Sequence, residues 1–176
     1  MDRIAEKKAA NILFEMHWES DEAEHTELLF GHRVNMWRDM FPRFMDEALY
    51  DKAEGDMLNF DYGPGEAVPQ ATERDVKKVR PWQFERRELQ GRPLEPRTGR
   101  IYPKGLLGGV SGIMRENTTP FRIGEIGDDR LVADFNHPLG DKNLNVKAHV
   151  LNVADNVREP GGESRHYGEL LTTGPG

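Results

Sequence analysis

The stretch 131–153, LVADFNHPLGDKNLNVKAHVLNV, decides the fold. In its second half every other residue is apolar, and this period of two predicts a β-strand with one buried face. The residues on that face are Leu144, Val146, Ala148 and Val150. The alternation slips by one residue at Val150, which predicts a bulge or the end of the strand pairing. A first apolar strand is predicted at 131–135, and the residues between the two strands, 136–141 (NHPLGD), have the composition of a turn.

Upstream of this stretch the sequence predicts further strands and one helix. Alternating apolar residues at 10–18 and an apolar run at 57–62 each predict a strand. Apolar residues spaced i, i+3, i+4, i+7 and i+8 from Phe41 predict an amphipathic helix over 41–51. Short apolar runs among many Gly and Pro residues after position 91 predict a small β domain.

Residues 133–140 (ADFNHPLG), followed by the strand that begins at Leu144, resemble the SlyD-like family of FKBP-type peptidyl-prolyl isomerases. In that family this turn is where the chain re-enters the isomerase domain from a domain inserted in its flap. The resemblance covers about 10–153 and implies an α+β fold: an FKBP-like antiparallel half-barrel sheet with one crossing helix, plus a small inserted all-β domain. The implied domains are 1–74 with 138–153 (FKBP-like) and 75–137 (inserted β domain), and 154–176 is predicted to be an extended tail without a core-forming pattern.

The resemblance implies a cleft for prolyl isomerisation. The rotation barrier of a peptide bond is about 20 kcal/mol, and lowering it requires an apolar cleft that binds the twisted amide better than the planar one. The positions that match the family's cleft are Met16, Leu28, Phe41, Pro42, Val68 and Val146. Val68 and Val146 replace a Tyr and a Phe of the family, and no clear Asp follows Trp18. The sequence therefore assigns no catalytic residue and leaves open whether the protein is an enzyme.

In the family, the inserted domain binds extended, unfolded polypeptide by adding strands and offering apolar pockets. The residues that match this role are Ile101, Tyr102, Leu106, Leu107, Val110, Ile113, Met114 and Phe121. Within this set, Leu106, Leu107 and Val110 lie among glycines and are predicted to form an exposed binding edge. The alternative is that the apolar residues form the core of the small domain.

Composition narrows the set of partners and cofactors. The chain has 176 residues and a net charge of −7, although 74–104 holds ten basic and four acidic residues. Overall acidity argues against nucleic acid, so a protein partner or a solvated face is the better interpretation of the basic block. There is no Cys, and the six His residues lack the spacing of a metal site, so neither a metal nor another cofactor is expected. No apolar run approaches 18 residues and the first residues are charged, which predicts a cytoplasmic protein without a membrane span.

Two functions remain open at this point. The first is a folding helper that binds unfolded or extended polypeptide and retains weak peptidyl-prolyl isomerase activity. The second is a non-catalytic FKBP-like subunit, or a dedicated assembly factor of a larger complex, with one protein partner. Both follow from the resemblance, and they differ in whether the isomerase cleft still functions.

Overall fold

The computed structural model describes residues 2–20, 24–86, 88–89, 92–155 and 163–172. The chain forms two compact units: unit 1 comprises 1–70 and 138–176, and unit 2 comprises 71–137. The strands are β1 (Lys8–Glu19), β2 (Glu24–Val34), β3 (Met57–Tyr62), β4 (Val76–Val79), β5 (Glu88–Leu89), β6 (Arg92–Pro93), β7 (Ile101–Pro103), β8 (Pro120–Ile126), β9 (Leu131–Asp134) and β10 (Leu144–Asp155). The helices are α1 (Met45–Leu49) and α2 (Tyr167–Thr172).

Unit 1 is built on a four-stranded sheet with the order β2-β1-β10-β3, in which every neighbouring pair is antiparallel. Because β10 lies between β1 and β3, a strand from late in the chain joins two strands from its first third. One face of this sheet carries the core together with α1 and α2. The members of that core that are at most 1% exposed are Ala10, Ile12, Phe14, Val34, Met45, Leu49, Ala148, Val150, Tyr167 and Leu171.

The alternation predicted for β10 is confirmed. Leu144, Val146, Ala148 and Val150 are all buried, whereas Lys147 between them is exposed. The predicted bulge is confirmed as well. Asn11 pairs with Asn152 and Ile12 pairs with Val150, so Leu151 is the extra residue that opposes no residue of β1.

The predicted helix over 41–51 is shorter in the structure. α1 begins at Met45, because Phe44 has a left-handed backbone with φ of 66° and the helix cannot extend through it. Before Phe44 the chain makes a turn in which Met45 N–H donates to the Pro42 carbonyl. Met45 and Leu49 still point into the core as the pattern predicts, so the spacing identified the buried residues but not the helix start.

Unit 2 has a four-stranded antiparallel sheet with the order β4-β9-β8-β7 and a separate two-stranded ladder of β5 and β6. The chain enters and leaves this unit at neighbouring residues, Thr72 and Asn136. The Asn136 side chain accepts from Thr72 N–H (2.8 Å) and donates to the Thr72 carbonyl (3.0 Å). These two bonds give the predicted turn residue a definite role, which is to close the base of unit 2.

The prediction that 154–176 is a tail without core residues is wrong for the described part of it. β10 continues to Asp155, and α2 begins at Tyr167. Tyr167 and Leu171 are each 1% exposed and belong to the core of unit 1. Their i, i+4 spacing places both side chains on one face of a short helix. The rest of the predicted tail, 156–162 and 173–176, lies outside the described residues.

Antiparallel sheets make up most of both units, and helices are few. α1 has five residues and α2 has six. This architecture is compatible with the predicted α+β class with little helix. Over the residues that the structure describes, no helix is long and apolar enough to cross a membrane.

Candidate functional site

Most of the residues predicted to line the cleft meet in the core of unit 1. Met16 on β1 lies directly opposite Val146 on β10, and both are 2% exposed. Val68 belongs to the same core, Phe41 packs against it, and Pro42 is buried. These residues are therefore brought together, but as part of a packed interior.

Leu28 does not belong to this group. It pairs with Glu15 across β1 and β2 and is 63% exposed. Glu15 lies one residue before Met16, so it faces the opposite side of the sheet. The prediction of Leu28 as a cleft residue is wrong. Neighbouring residues of a strand point to opposite faces, and the short apolar run at 28–30 does not reveal which of its residues face the core.

The space beside Phe41 is filled by Tyr167. The two rings stack almost in parallel, with centroids 5.2 Å apart and an interplanar angle of 5°. The Tyr167 ring also contacts that of Phe14, with centroids 5.2 Å apart and an interplanar angle of 41°. The next residue, Gly168, packs against the Ala67 backbone: a Cβ atom built at Gly168 would lie 3.4 Å from the Ala67 carbonyl oxygen. What the sequence predicted as a cleft is thus occupied by the chain itself.

Backbone hydrogen bonds hold this part of the chain in place. Met40 N–H donates to the Arg165 carbonyl, and Tyr167 N–H donates to the Met40 carbonyl, each at 2.8 Å. They form an isolated parallel bridge between Met40 and His166. We call residues 164–171 the docked segment.

Asp39 supplies the polar anchor of the docked segment. Its side chain is fully buried, and its carboxylate oxygens accept from Arg38 Nε (2.8 Å), Asn35 N–H (2.9 Å) and Arg165 N–H (3.2 Å). A buried carboxylate needs such partners because burial removes its hydration. The sequence did not single out Asp39. The signal that could have found it is an adjacent Arg and Asp within an otherwise apolar stretch at 36–41, MWRDMF.

Two further bonds fix the start of the docked segment. Ser164 Oγ donates to the Arg38 carbonyl (2.8 Å), and Arg165 Nη1 donates to the His32 carbonyl (2.7 Å). The segment is therefore held by backbone pairing, by a buried carboxylate and by two buried side chains.

In unit 2, the predicted exposed edge is wrong. Leu106 and Leu107 are 5% and 2% exposed, and Val110 packs against the same core. Most of the predicted peptide-binding set shares this environment. Its core members are Tyr102, Leu106, Leu107 and Phe121, with Val110 and Ile113 partly buried against them. In a unit of this size the apolar residues of a Gly-rich stretch are needed for the interior.

Two members of the predicted set remain on the surface of unit 2. Ile101 on the edge strand β7 is 43% exposed, and Met114 is 75% exposed. Trp82, which lies within the basic stretch 74–104, is also exposed. Strand β7 has a free pairing side in the described sheet, although Pro103 lacks the N–H that a ladder requires.

Unit 1 also has an open, mixed polar cavity of about 340 Å³ at one end of its sheet. Its lining residues are His17, Trp18, Glu19, Asp61, Tyr62, Gly63, Asn143, Leu144 and Asn145. Asn145 Nδ2 donates to Asp61 Oδ1 at 2.7 Å, so this carboxylate already has an amide partner. Among the described residues, no group of three or more His, Asp or Glu side chains is placed to hold a metal ion.

Two buried tyrosines make stability depend on pH at the alkaline end. Burial raises the pKa of Tyr62 and of Tyr167 above the ordinary value of 10.0, and the nearby Arg165 side chain offsets part of the rise in the pKa of Tyr167. Among the described residues, neither hydroxyl has a partner at hydrogen-bonding geometry. The native state therefore binds these protons more tightly than the unfolded state, and the contribution of the two tyrosines to the free energy of unfolding should be constant below about pH 10 and fall above it. Urea denaturation at increasing pH measures this, and Tyr62→Phe with Tyr167→Phe should flatten the decline. An unchanged decline in that double variant would contradict the assignment.

The site thus consists of an apolar interior with one buried carboxylate and a backbone edge at Met40 that pairs with polypeptide. Such an arrangement suits binding of a chain segment. It offers no nucleophile beside a base, which covalent catalysis would need. Comparison with known proteins assigns no family, since no protein-family model and no curated protein matches this chain.

Proposed function

We propose that the protein is a polypeptide-binding folding helper of the SlyD-like FKBP type, with weak peptidyl-prolyl isomerase activity. The observation that carries this proposal is the placement of unit 2 between β3 and β10. The chain leaves the unit 1 sheet after β3, forms a separate β unit over 71–137, and returns through 136–141 into β10. This order of elements is the one that the resemblance implies for an isomerase domain with a domain inserted in its flap.

The chemistry of the cleft supports weak catalysis. Val68 stands where the family's flap Tyr is expected, and its side chain cannot donate the hydrogen bond to a substrate carbonyl that a Tyr hydroxyl can donate. Val146 stands where the closing Phe is expected, and this replacement changes the apolar lining without removing a donor. Loss of one such donor lowers the rate of an enzyme by about 10²–10³-fold. Tyr167 fills the space beside Phe41, which a substrate proline would have to enter.

We expect the protein to bind unfolded chains while it accelerates prolyl isomerisation poorly. A protease-coupled assay on a short Xaa-Pro peptide measures the isomerase activity. Fluorescence anisotropy with a labelled, permanently unfolded protein, such as reduced and carboxymethylated α-lactalbumin, measures the binding. Binding with little acceleration is the expected pair of results, and absence of binding to several unrelated unfolded proteins would overturn the proposal.

A matched pair of methionines locates the binding surface. Met114 in unit 2 and Met57 in unit 1 are similarly exposed, at 75% and 70%. Met114→Ser should weaken binding of the unfolded protein several-fold, because flexible exposed methionines provide adaptable apolar contacts. Met57→Ser removes the same side chain from unit 1 and should leave the affinity unchanged. Equal affinities in the two variants would show that the surface around Met114 does not bind the unfolded protein.

The alternative function, a non-catalytic subunit with one dedicated partner, is favoured by a different observation. Trp37, Met40 and Phe44 are all more than half exposed within eight consecutive residues. Exposed apolar groups of this kind mark protein interaction sites. A protein that binds none of the unfolded chains and shows no isomerase activity would fit this function instead.

A further inference from the structure

The docked segment is bound as a peptide ligand would be. Its backbone forms hydrogen bonds with Met40 on both sides of His166, and the bonded residues are 125 and 127 positions apart in the chain. Such pairing through the main chain gives affinity without regard to sequence, whereas side-chain pockets supply selectivity. The segment therefore shows both parts of a recognition site, an edge for the backbone and a pocket for a ring.

The ring pocket is specific in shape. The rings of Phe14 and Phe41 each lie 5.2 Å from that of Tyr167, a separation at which aromatic rings attract each other. Four residues later Leu171 is again buried, whereas its neighbour Leu170 is 41% exposed. At Gly168 the Pro42 ring and the Ala67 carbonyl lie within 3.7 Å of a Cβ position, so a small residue fits best there.

We propose that residues 164–171 are a built-in ligand of the polypeptide-binding cleft, and that the cleft accepts external segments of the same form. That form is an aromatic residue, a small residue directly after it and an aliphatic residue four positions after the aromatic one. This inference rests on the proposed function, since it names the ligand class of the same cleft. It also gives the cleft a regulator, because the docked segment must leave before another segment can enter.

The polar contacts fit a ligand that can leave. Arg165 and Ser164 are exposed, and each contributes one side-chain hydrogen bond to a backbone carbonyl. Only Tyr167 and Leu171 enter the core from the docked segment. Asp39 keeps Arg38 as a partner whether or not the segment is present, since these two residues are adjacent.

The test uses the full chain and a fluorescein-labelled peptide of residues 164–172, SRHYGELLT. The tethered segment competes at an effective concentration on the order of millimolar, so the wild-type protein should bind the peptide weakly. Leu171→Ser loosens the docked segment and should bind the peptide at least tenfold more tightly. Leu170→Ser is the matched control and should behave as the wild type. The same peptide carrying Tyr167→Ala should not bind any of the proteins.

A second variant covers the case in which Leu171→Ser does not fold, as judged by circular dichroism. Arg165→Ala removes one hydrogen bond from an exposed residue and leaves the core filled, and it should tighten peptide binding a few-fold. Either folded variant that binds the peptide no more tightly than the wild type overturns the proposal.

Hydrogen exchange on the wild-type protein provides an independent measurement. Excess unlabelled peptide should accelerate exchange of the Tyr167 amide, because the docked segment is displaced, while the Met40 amide stays protected by the peptide's own carbonyl. An unchanged Tyr167 amide at saturating peptide contradicts the proposal. If the protein binds unfolded proteins but not the peptide, this inference is overturned and the proposed function stands. If it binds the peptide but no unfolded protein, the proposed function is overturned and the assignment of residues 164–171 as a built-in ligand stands.

Discussion

Tyr167→Ala should lower the free energy of unfolding by about 3–5 kcal/mol, the range found for removal of a large aromatic side chain from a core. Tyr167 is 1% exposed and contacts the rings of Phe14 and Phe41, so alanine leaves a cavity between them. Urea denaturation followed by circular dichroism measures the change.

The control for this prediction is Tyr167→Phe. It keeps the ring and removes a buried hydroxyl that has no hydrogen-bond partner. Because an unsatisfied buried polar group costs about 1–3 kcal/mol, this variant should be as stable as the wild type or more stable. A loss below about 1 kcal/mol in Tyr167→Ala would show that the docked segment contributes little to the core.

Gly105→Ala should destabilise unit 2 by at least about 3 kcal/mol, at or above the upper end of the usual cost of overpacking. A Cβ atom at this position would lie 2.3 Å from the Arg115 carbonyl oxygen and 3.0 Å from that of Asn117. Both are backbone atoms, and Gly105 N–H already donates to the Asn117 carbonyl, so the loop could relieve the clash only by breaking its own hydrogen bonds. Leu106 and Leu107, which follow directly, would then move out of the core.

Gly108→Ala is the matched control in the same loop. The nearest atom to a Cβ there is a carboxylate oxygen of Glu85 at 3.5 Å, an ordinary contact, and the backbone of Gly108 is not left-handed. It should cost far less than Gly105→Ala in a thermal or urea unfolding experiment. Similar losses in the two variants would refute the steric explanation.

Patterns with a short period were reliable in this chain. The alternation in β10 predicted four buried residues and the bulge at Leu151, because a strand reverses its side-chain direction at every residue. The turn after β9 was predicted from Asn136 and Pro138, and Asn136 indeed makes the bonds that close unit 2. Local chemistry was sufficient for both features.

Predictions that depended on which face is covered were less successful. Leu28 and the pair Leu106 and Leu107 look alike in the sequence, yet the first is exposed and the other two are buried. Burial depends on what packs against a residue: Leu106 and Leu107 pack with Phe84, Tyr102 and Phe121 in the core of unit 2, whereas Leu28 lies on the face of β2 away from the core of unit 1. The first residue of α1 was predicted wrongly for a different reason, because the spacing of apolar residues does not indicate the left-handed backbone at Phe44.

By itself, the sequence determined the strands β1, β3, β9 and β10, the turn at 136–141 and the apolar residues available for two cores, since these follow from the stereochemistry of neighbouring residues. It did not predict β2 over its full length or β4. The tertiary structure alone decided that most of the residues matched to the family's cleft lie in a packed interior beside Tyr167. In the sequence, Tyr167 lies more than a hundred residues from Asp39 and Phe41. The docked segment comes together with these two residues because its backbone pairs with Met40. Contacts between residues more than a hundred positions apart carry no local pattern, because their free energy comes from packing and hydrogen bonds that form only after the chain has folded.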